Sequence, residues 1–274
     1  MSPFIFLIIS CVVCNIYLQI IEYEEYNIHK DEDISIFFFI KAMFYAKLSE
    51  DEKIALAKYN PYYASLDKRL KKEFEERVAK YKMHKNFYYA VDSTRNKKIV
   101  VLLISSYAVQ LTFGLKKYLM GYFDEIHIYK ESFMYLGYDL SGLTSGRRRT
   151  IYFSESALLK SLDDPHDGFH IAFHEFAHAI QISNDFRRVY FNIRHYISLI
   201  EYIRNNFYLI QLDGTDFFPY YAFKNEEELY ACSIEKFFEQ AQEFNEKYPR
   251  LYEIITQLLN QNPLDTEYPI YRKQ

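Results

Sequence analysis

The sequence has no tryptophan, three cysteines, and only seven glycines and seven prolines in 274 residues. Three cysteines cannot build a disulfide framework, so a disulfide-stapled scaffold is excluded. Scarce glycine, set against 28 Tyr and 24 Phe, excludes collagen-like, linker-rich and disordered chains, which lack side chains to pack. A basic excess is missing too. Lys and Arg total 33 against 37 Asp and Glu, a net charge of −4, so a general nucleic-acid footprint is not expected. A chain of this length can bury a full core as one large domain or two small ones.

Charge is also absent from the start of the chain, where the first charged side chain is Glu22. Residues 3–21 read PFIFLIISCVVCNIYLQII. As a helix this run would be about 29 Å long, matching the hydrocarbon thickness of a bilayer. A cleaved signal would need a basic start and a small-residue cleavage site, and neither is clear. The expectation is a single-pass transmembrane anchor over residues 3–21 and a juxtamembrane segment over 22–47. A folded domain over 48–265 and a tail over 266–274 then follow. Lys30 and Lys41 come after the apolar run and nothing basic precedes it, which favours a membrane protein whose folded domain is cytoplasmic. Cys11 and Cys14 have redox spacing but read as two small thiols within the apolar run.

Beyond residue 48 the pattern is mostly helical. Ser49 and Glu52 have capping-box spacing, opening a short helix that Pro61 ends. Apolar residues recur at helical spacing from Leu66 to Lys82, and Ile99–Leu115 has the length of a buried helix. Phe123–Tyr129 and Thr150–Phe153 read as strands. Between them Gly137, Gly142 and Gly146 mark a flexible-looking loop that ends in Arg147-Arg148-Arg149, a solvated basic edge. Helices are expected from Phe169 to about Ile182, from about Val189 to Asn206, from Asn225 to about Phe244, and from Arg250 to Asn260. The expected fold class is therefore α+β, mostly helical, with a small central sheet.

One of these helices carries H-E-x-x-H, as His174-Glu175-Phe176-Ala177-His178. Residues four apart share a helix face, so both imidazoles can reach one ion. Zinc accepts neutral imidazole, and a catalytic site uses three protein ligands plus water. Glu175 follows the first histidine, so it sits beside the metal, where it can accept a proton from water and pass it to a leaving amine. Neighbouring residues are apolar nearly all round, and a buried helix does not carry His, Glu and His without partners. His170 extends the series, but about 12 Å of helix rise separates it from His178, so it does not share the ion. The third ligand is expected downstream in NEEELYACSIEKFF (225–238), where Glu228 and Glu235 lie on one face. Spacing alone leaves both open, and Glu228 also has the position of a capping-box acid.

HEFAH, followed about fifty residues later by Glu228-Leu-Tyr-Ala-Cys-Ser-Ile-Glu235-Lys-Phe-Phe, resembles the Mlc titration factor A (MtfA) zinc peptidases. The likeness extends over roughly residues 48–265. It implies a zincin-like, gluzincin fold with a lethal-factor-type catalytic core, one zinc ion, and peptide or protein substrates, including aminopeptidase substrates. By position it implies His174, His178 and Glu228 as zinc ligands and Glu175 as general base. It also implies Tyr221, seven residues before Glu228, as the group that stabilises the oxyanion. Glu235 and His170 then fall outside the ligand set, fixing a ligand or facing substrate. Some relatives bind a regulatory protein partner, so the rival expectation is a non-enzymatic, regulator-titrating protein with a structural zinc.

Overall fold

The computed structural model describes residues 46–90, 97–187 and 191–265. The expected anchor at 3–21, most of the juxtamembrane segment and the tail from 266 lie outside the described residues. Among the described residues no helix is long and apolar enough to cross a membrane.

The domain begins with helices whose starts are written in the sequence. The Ser49 hydroxyl accepts the Glu52 N–H, and the Glu52 carboxylate returns to the Ser49 N–H at 2.9 Å, opening α1 (Glu50–Tyr59). Asn60 ends α1 and caps α2 (Pro61–Ser65), accepting the Tyr63 N–H at 2.8 Å, with Pro61 in the first turn where its missing donor costs nothing. Asp67 caps α3 (Lys68–His84), which buries Leu70, Phe74, Val78 and Tyr81 as one stripe. After β1 (Asn86–Tyr89) comes α4 (Lys97–Thr112), buried nearly all round as its apolar run requires, and packed on α1 and α3.

The strands are β2 (Glu125–Tyr129), β3 (Phe133–Tyr135), β4 (Tyr138–Leu140), β5 (Gly142–Ser145) and β6 (Thr150–Ser154). The main sheet has four strands in the order β1-β2-β6-β5. β1 and β6 run parallel to β2, while β5 pairs antiparallel with β6, placing Thr144 opposite Ile151 and Gly142 opposite Phe153. The glycine-marked segment is thus ordered rather than a flexible loop. Leu136 and Gly137 both take positive φ, 52° and 86°, and form the two-residue turn between β3 and β4. Gly142 then starts the sheet's outer strand.

The remaining helices are α5 (Glu155–Lys160), α6 (Ile171–Arg187), α7 (Ile193–Asp213), α8 (Glu226–Glu239), α9 (Ala241–Lys247) and α10 (Pro249–Leu259), with a 3₁₀ turn at Tyr220–Lys224. Two differ in extent from the sequence reading. No breaker follows Asn206 until Gly214, so α7 runs on to Asp213. The helix expected from Asn225 to Phe244 breaks at Gln240, whose side chain bonds the His166 carbonyl at 2.8 Å and accepts from Lys236 at 2.7 Å. Helix α6 lies at the centre, against α4, α8, β5 and β6. Phe173 stacks on Phe238 with ring centroids 4.6 Å apart, and Phe176 packs on Tyr81 and Phe153. Each buried Phe contributes roughly 2–3 kcal/mol, so the helix carrying the motif is held rigidly from two sides.

Candidate active site

Two faces of α6 carry its polar groups. His174 and His178 point toward α8, and Glu175, one residue on and about 100° around the axis, points toward β5. The Nε2 atoms of His174 and His178 are 3.2 Å apart. Glu228 Oε2, in the first turn of α8, lies 3.1 Å from the first and 3.3 Å from the second. Glu228 reaches this point because Asn225 caps α8 through the Glu228 backbone N–H at 2.8 Å, which leaves the carboxylate free to turn inward. The capping role and the site role of Glu228 are therefore compatible.

A shared proton satisfies only one pair among these three atoms, whereas one cation satisfies all of them. In a tetrahedral zinc site with bonds of about 2.0–2.1 Å, neighbouring donors sit roughly 3.3–3.4 Å apart. The observed spacings of 3.1–3.3 Å fit that geometry and that donor chemistry. Among the described residues, His174, His178 and Glu228 form one group able to hold a metal ion.

Glu235 sits on the other side of the His174 ring. Its Oε1 is 2.8 Å from His174 Nδ1, and its Oε2 accepts the His170 backbone N–H at 2.6 Å. With Nδ1–H committed to Glu235, the His174 Nε2 lone pair faces Glu228 and His178. The spatial arrangement thus separates the two acids that spacing left open. Cys232, buried midway between them on α8, joins His174 and Glu235 on the Nδ1 side. Sequence reasoning passed over Cys232, although the 228–232–235 spacing already put it on the same helix stripe.

Burial would by itself lower the His174 pKa, but contacts with Cys232, Glu228 and Glu235 hold it well above the usual imidazole range. Burial would likewise raise Glu228, but its hydrogen bonds to His174 and His178 hold it far below the usual carboxylate range. Glu175 is only 4 % exposed, and burial pushes its pKa up while the two histidines and Thr144 pull it back.

Two residues beside Glu175 escaped the sequence reading. Thr144 Oγ1 lies 2.8 Å from Glu175 Oε2 and 2.9 Å from the Glu175 carbonyl oxygen. Gly142 faces Oε1 so closely that a Cβ there would collide with it. The outer strand β5 therefore clamps the Glu175 carboxylate. Nothing in a four-residue strand far from the motif in sequence announces this contact. Tyr221 is half-exposed in the 3₁₀ turn, and its hydroxyl donates to Glu228 Oε1 at 2.9 Å. Burial and the Glu228 carboxylate raise its pKa, keeping the phenol a donor.

A family model described as glucose-regulated metallo-peptidase M90 matches residues 41–259. The chain belongs to this family. It is the family to which the MtfA resemblance pointed, and the match spans both the α6 motif and the α8 carboxylates. None of the curated proteins matches the chain. A metallopeptidase family implies a bound metal, and His174, His178 and Glu228 form a group able to hold one. Within this M90 domain His170 stands apart from the cluster. Its backbone is tied to Glu235, while its ring packs on Tyr107 and Phe173, with centroids 4.0 Å and 4.6 Å away.

Proposed function

We propose that the chain hydrolyses peptide bonds, with one zinc ion held by His174, His178 and Glu228. The observation that carries this reading is the convergence of two imidazole nitrogens and one carboxylate oxygen within 3.1–3.3 Å, next to the clamped carboxylate of Glu175. Bound zinc would polarise the scissile carbonyl and ease deprotonation of water at neutral pH. Three protein donors rather than four leave a position open for water and substrate, as in catalytic rather than structural sites.

The protein's own groups do the rest. Glu175 takes the proton of the attacking water and delivers it to the leaving amine. Its burial-raised pKa suits a carboxyl that must both accept and release a proton. Thr144 and Gly142 fix the direction in which that carboxylate points. Tyr221 donates its phenolic hydrogen to the developing oxyanion, exchanging its bond to Glu228 Oε1 for this one. The outer edge of β5 offers backbone groups on which an extended peptide can lie, and the same strand holds the general base. Residues 3–21 would tether this domain to a membrane.

The test is cleavage of a peptide library by the full chain, with free and with blocked N-termini. Cleavage is expected, abolished by a chelator and restored by zinc. Cleavage confined to free N-termini would identify an aminopeptidase. Stoichiometric zinc with no peptide cut would favour the regulator-titrating protein instead. Within this mechanism Tyr221→Phe is expected to lower kcat by about 100-fold, with KM and metal content nearly unchanged. A loss of metal in that variant would mean that Tyr221 acts by holding Glu228.

A further inference from the structure

The Arg147-Arg148-Arg149 run and the hairpin beside it have no part in the proposed hydrolysis. The ribbon of β3 and β4 is seated on the main sheet through one face. Phe133 stacks on Tyr129 with ring centroids 4.6 Å apart and packs on Tyr152 at 5.9 Å. That seat leaves the tip in solvent, where Met134, Leu136 and Tyr138 are 69 %, 84 % and 71 % exposed. No charged residue occurs from Ser132 to Tyr138. Large apolar and aromatic side chains thus crowd one two-residue turn. A turn with positive φ at both central residues asks for Asn, Asp or Gly, because a Cβ is crowded there. Leu136, at φ 52°, adds strain to the turn and covers no core, so neither the turn nor the core calls for a leucine.

What surrounds the tip narrows the choice of occupant. Arg149 is engaged, with the Tyr122 carbonyl at 2.9 Å and with Asp124 at 2.6 Å. Arg147 and Arg148 are exposed and enter no ion pair among the described residues. Arg148 lies over the Tyr135 ring at 5.6 Å, and Tyr135 pairs with Tyr138 across the ribbon, so this charge sits just behind the tip. Arginines without an acidic partner, behind an apolar tip that carries tyrosine, match an anionic bilayer surface. Lipid phosphates suit the guanidinium groups, and the acyl boundary suits the leucine. Asp139 lies opposite Met134 and would be repelled by those phosphates on deeper entry, which limits contact to the tip. The other exposed apolar run, Tyr208, Leu209 and Leu212 on α7, is bordered by Asp213 and Asp216, which the same surface would repel.

We propose that the β3–β4 tip is a bilayer contact, in which Leu136 enters the headgroup–acyl boundary of an anionic membrane while Arg147 and Arg148 hold lipid phosphates. The proposal extends the reading of residues 3–21 as a tether, and its own support is the hairpin. Such a contact would turn one fixed side of the domain toward the bilayer.

The absence of tryptophan supplies the test. Leu136→Trp in the full chain introduces the sole indole, and its emission is read on vesicles of phosphatidylglycerol and phosphatidylcholine, with and without brominated acyl chains. A blue shift and at least about two-fold quenching by the brominated lipid are expected. Most of that quenching should be lost on phosphatidylcholine alone. The same loss is expected when Arg147→Gln and Arg148→Gln are added, since each basic side chain at an anionic surface strengthens contact about five-fold. Met134→Trp is a second tip reporter should the turn be disturbed, and circular dichroism checks the folding of each variant. Leu212→Trp should stay unquenched. The proposal is overturned if neither tip reporter is quenched, if Leu212→Trp is quenched as strongly, or if removing the two arginines changes nothing. Flotation of the unaltered chain with the same vesicles reads the tether separately. A chain that floats with both lipid mixtures while the tip reporters stay unquenched keeps the tether and loses the hairpin contact. A chain that floats only with anionic vesicles, with its tip reporters quenched, loses the tether and keeps the contact.

Discussion

Glu175→Gln should retain a full complement of metal and lose peptide turnover by about 10³-fold, within the 10²–10⁴ range of a positioned general base. The substitution is nearly isosteric. The amide oxygen can still accept the Thr144 hydroxyl, which lies 2.8 Å from Oε2, and Gly142 leaves room for the planar group. The three donors nearest the proposed ion belong to other residues, so metal binding is untouched. Stability should hold or rise slightly, because the replaced carboxyl is buried and burial disfavours its charged form. What is lost is a group that can take a proton from water. Metal analysis of the purified variant, together with kcat on the best library peptide, checks both halves. Turnover at the wild-type rate would sink the proposed mechanism.

The contrast between Glu175 and its support shows where the sequence was informative. The residues of the proposed site were legible because their constraint is local. H-E-x-x-H is a spacing on one helix, and Asn225 announces the start of the helix that brings Glu228 and Glu235 to it. The helix start at Ser49 was legible for the same reason, since a cap is made within three residues. The parts that hold the actors in place were not legible. β1 and β5 have four residues each, too few for a period to register, and β1 is defined by parallel pairing with a strand far along the chain. Thr144 touches Glu175 across 31 positions, and its local sequence, between glycines, looks like a loop. The choice between Glu228 and Glu235 was illegible from spacing because both lie on the inward stripe of α8. Only the approach of α6 decides which carboxylate meets Nε2 and which meets Nδ1 of His174. The break at Gln240 was hidden in the same way, because the partner that stops the helix is the His166 carbonyl, far away in sequence.

That decision gives the second large effect. Glu228→Ala should weaken metal binding by well over 100-fold, whereas Glu235→Gln should weaken it by about 10- to 100-fold, the range for a group that orients a ligand rather than binding the metal. Glu228→Ala removes one of three converging donors, and it also strands Tyr221, whose hydroxyl donates to Glu228 Oε1 at 2.9 Å. The helix itself survives, because Asn225 caps it through the backbone N–H of residue 228. In Glu235→Gln the amide oxygen can accept from His174 Nδ1 or from the His170 N–H, but not both as the carboxylate does. His174 then loses some of its orientation while its Nε2 remains available. Competition for zinc against a calibrated chelator measures both affinities on one scale. The ranking is the decisive quantity. If the Glu235 variant lost as much affinity as the Glu228 variant, the ion would be held on the Nδ1 side with Cys232, the alternative group around His174. If Glu228 dominates, the ion is on the Nε2 side, shared with His178, within reach of the Tyr221 hydroxyl and of the carboxylate clamped by β5.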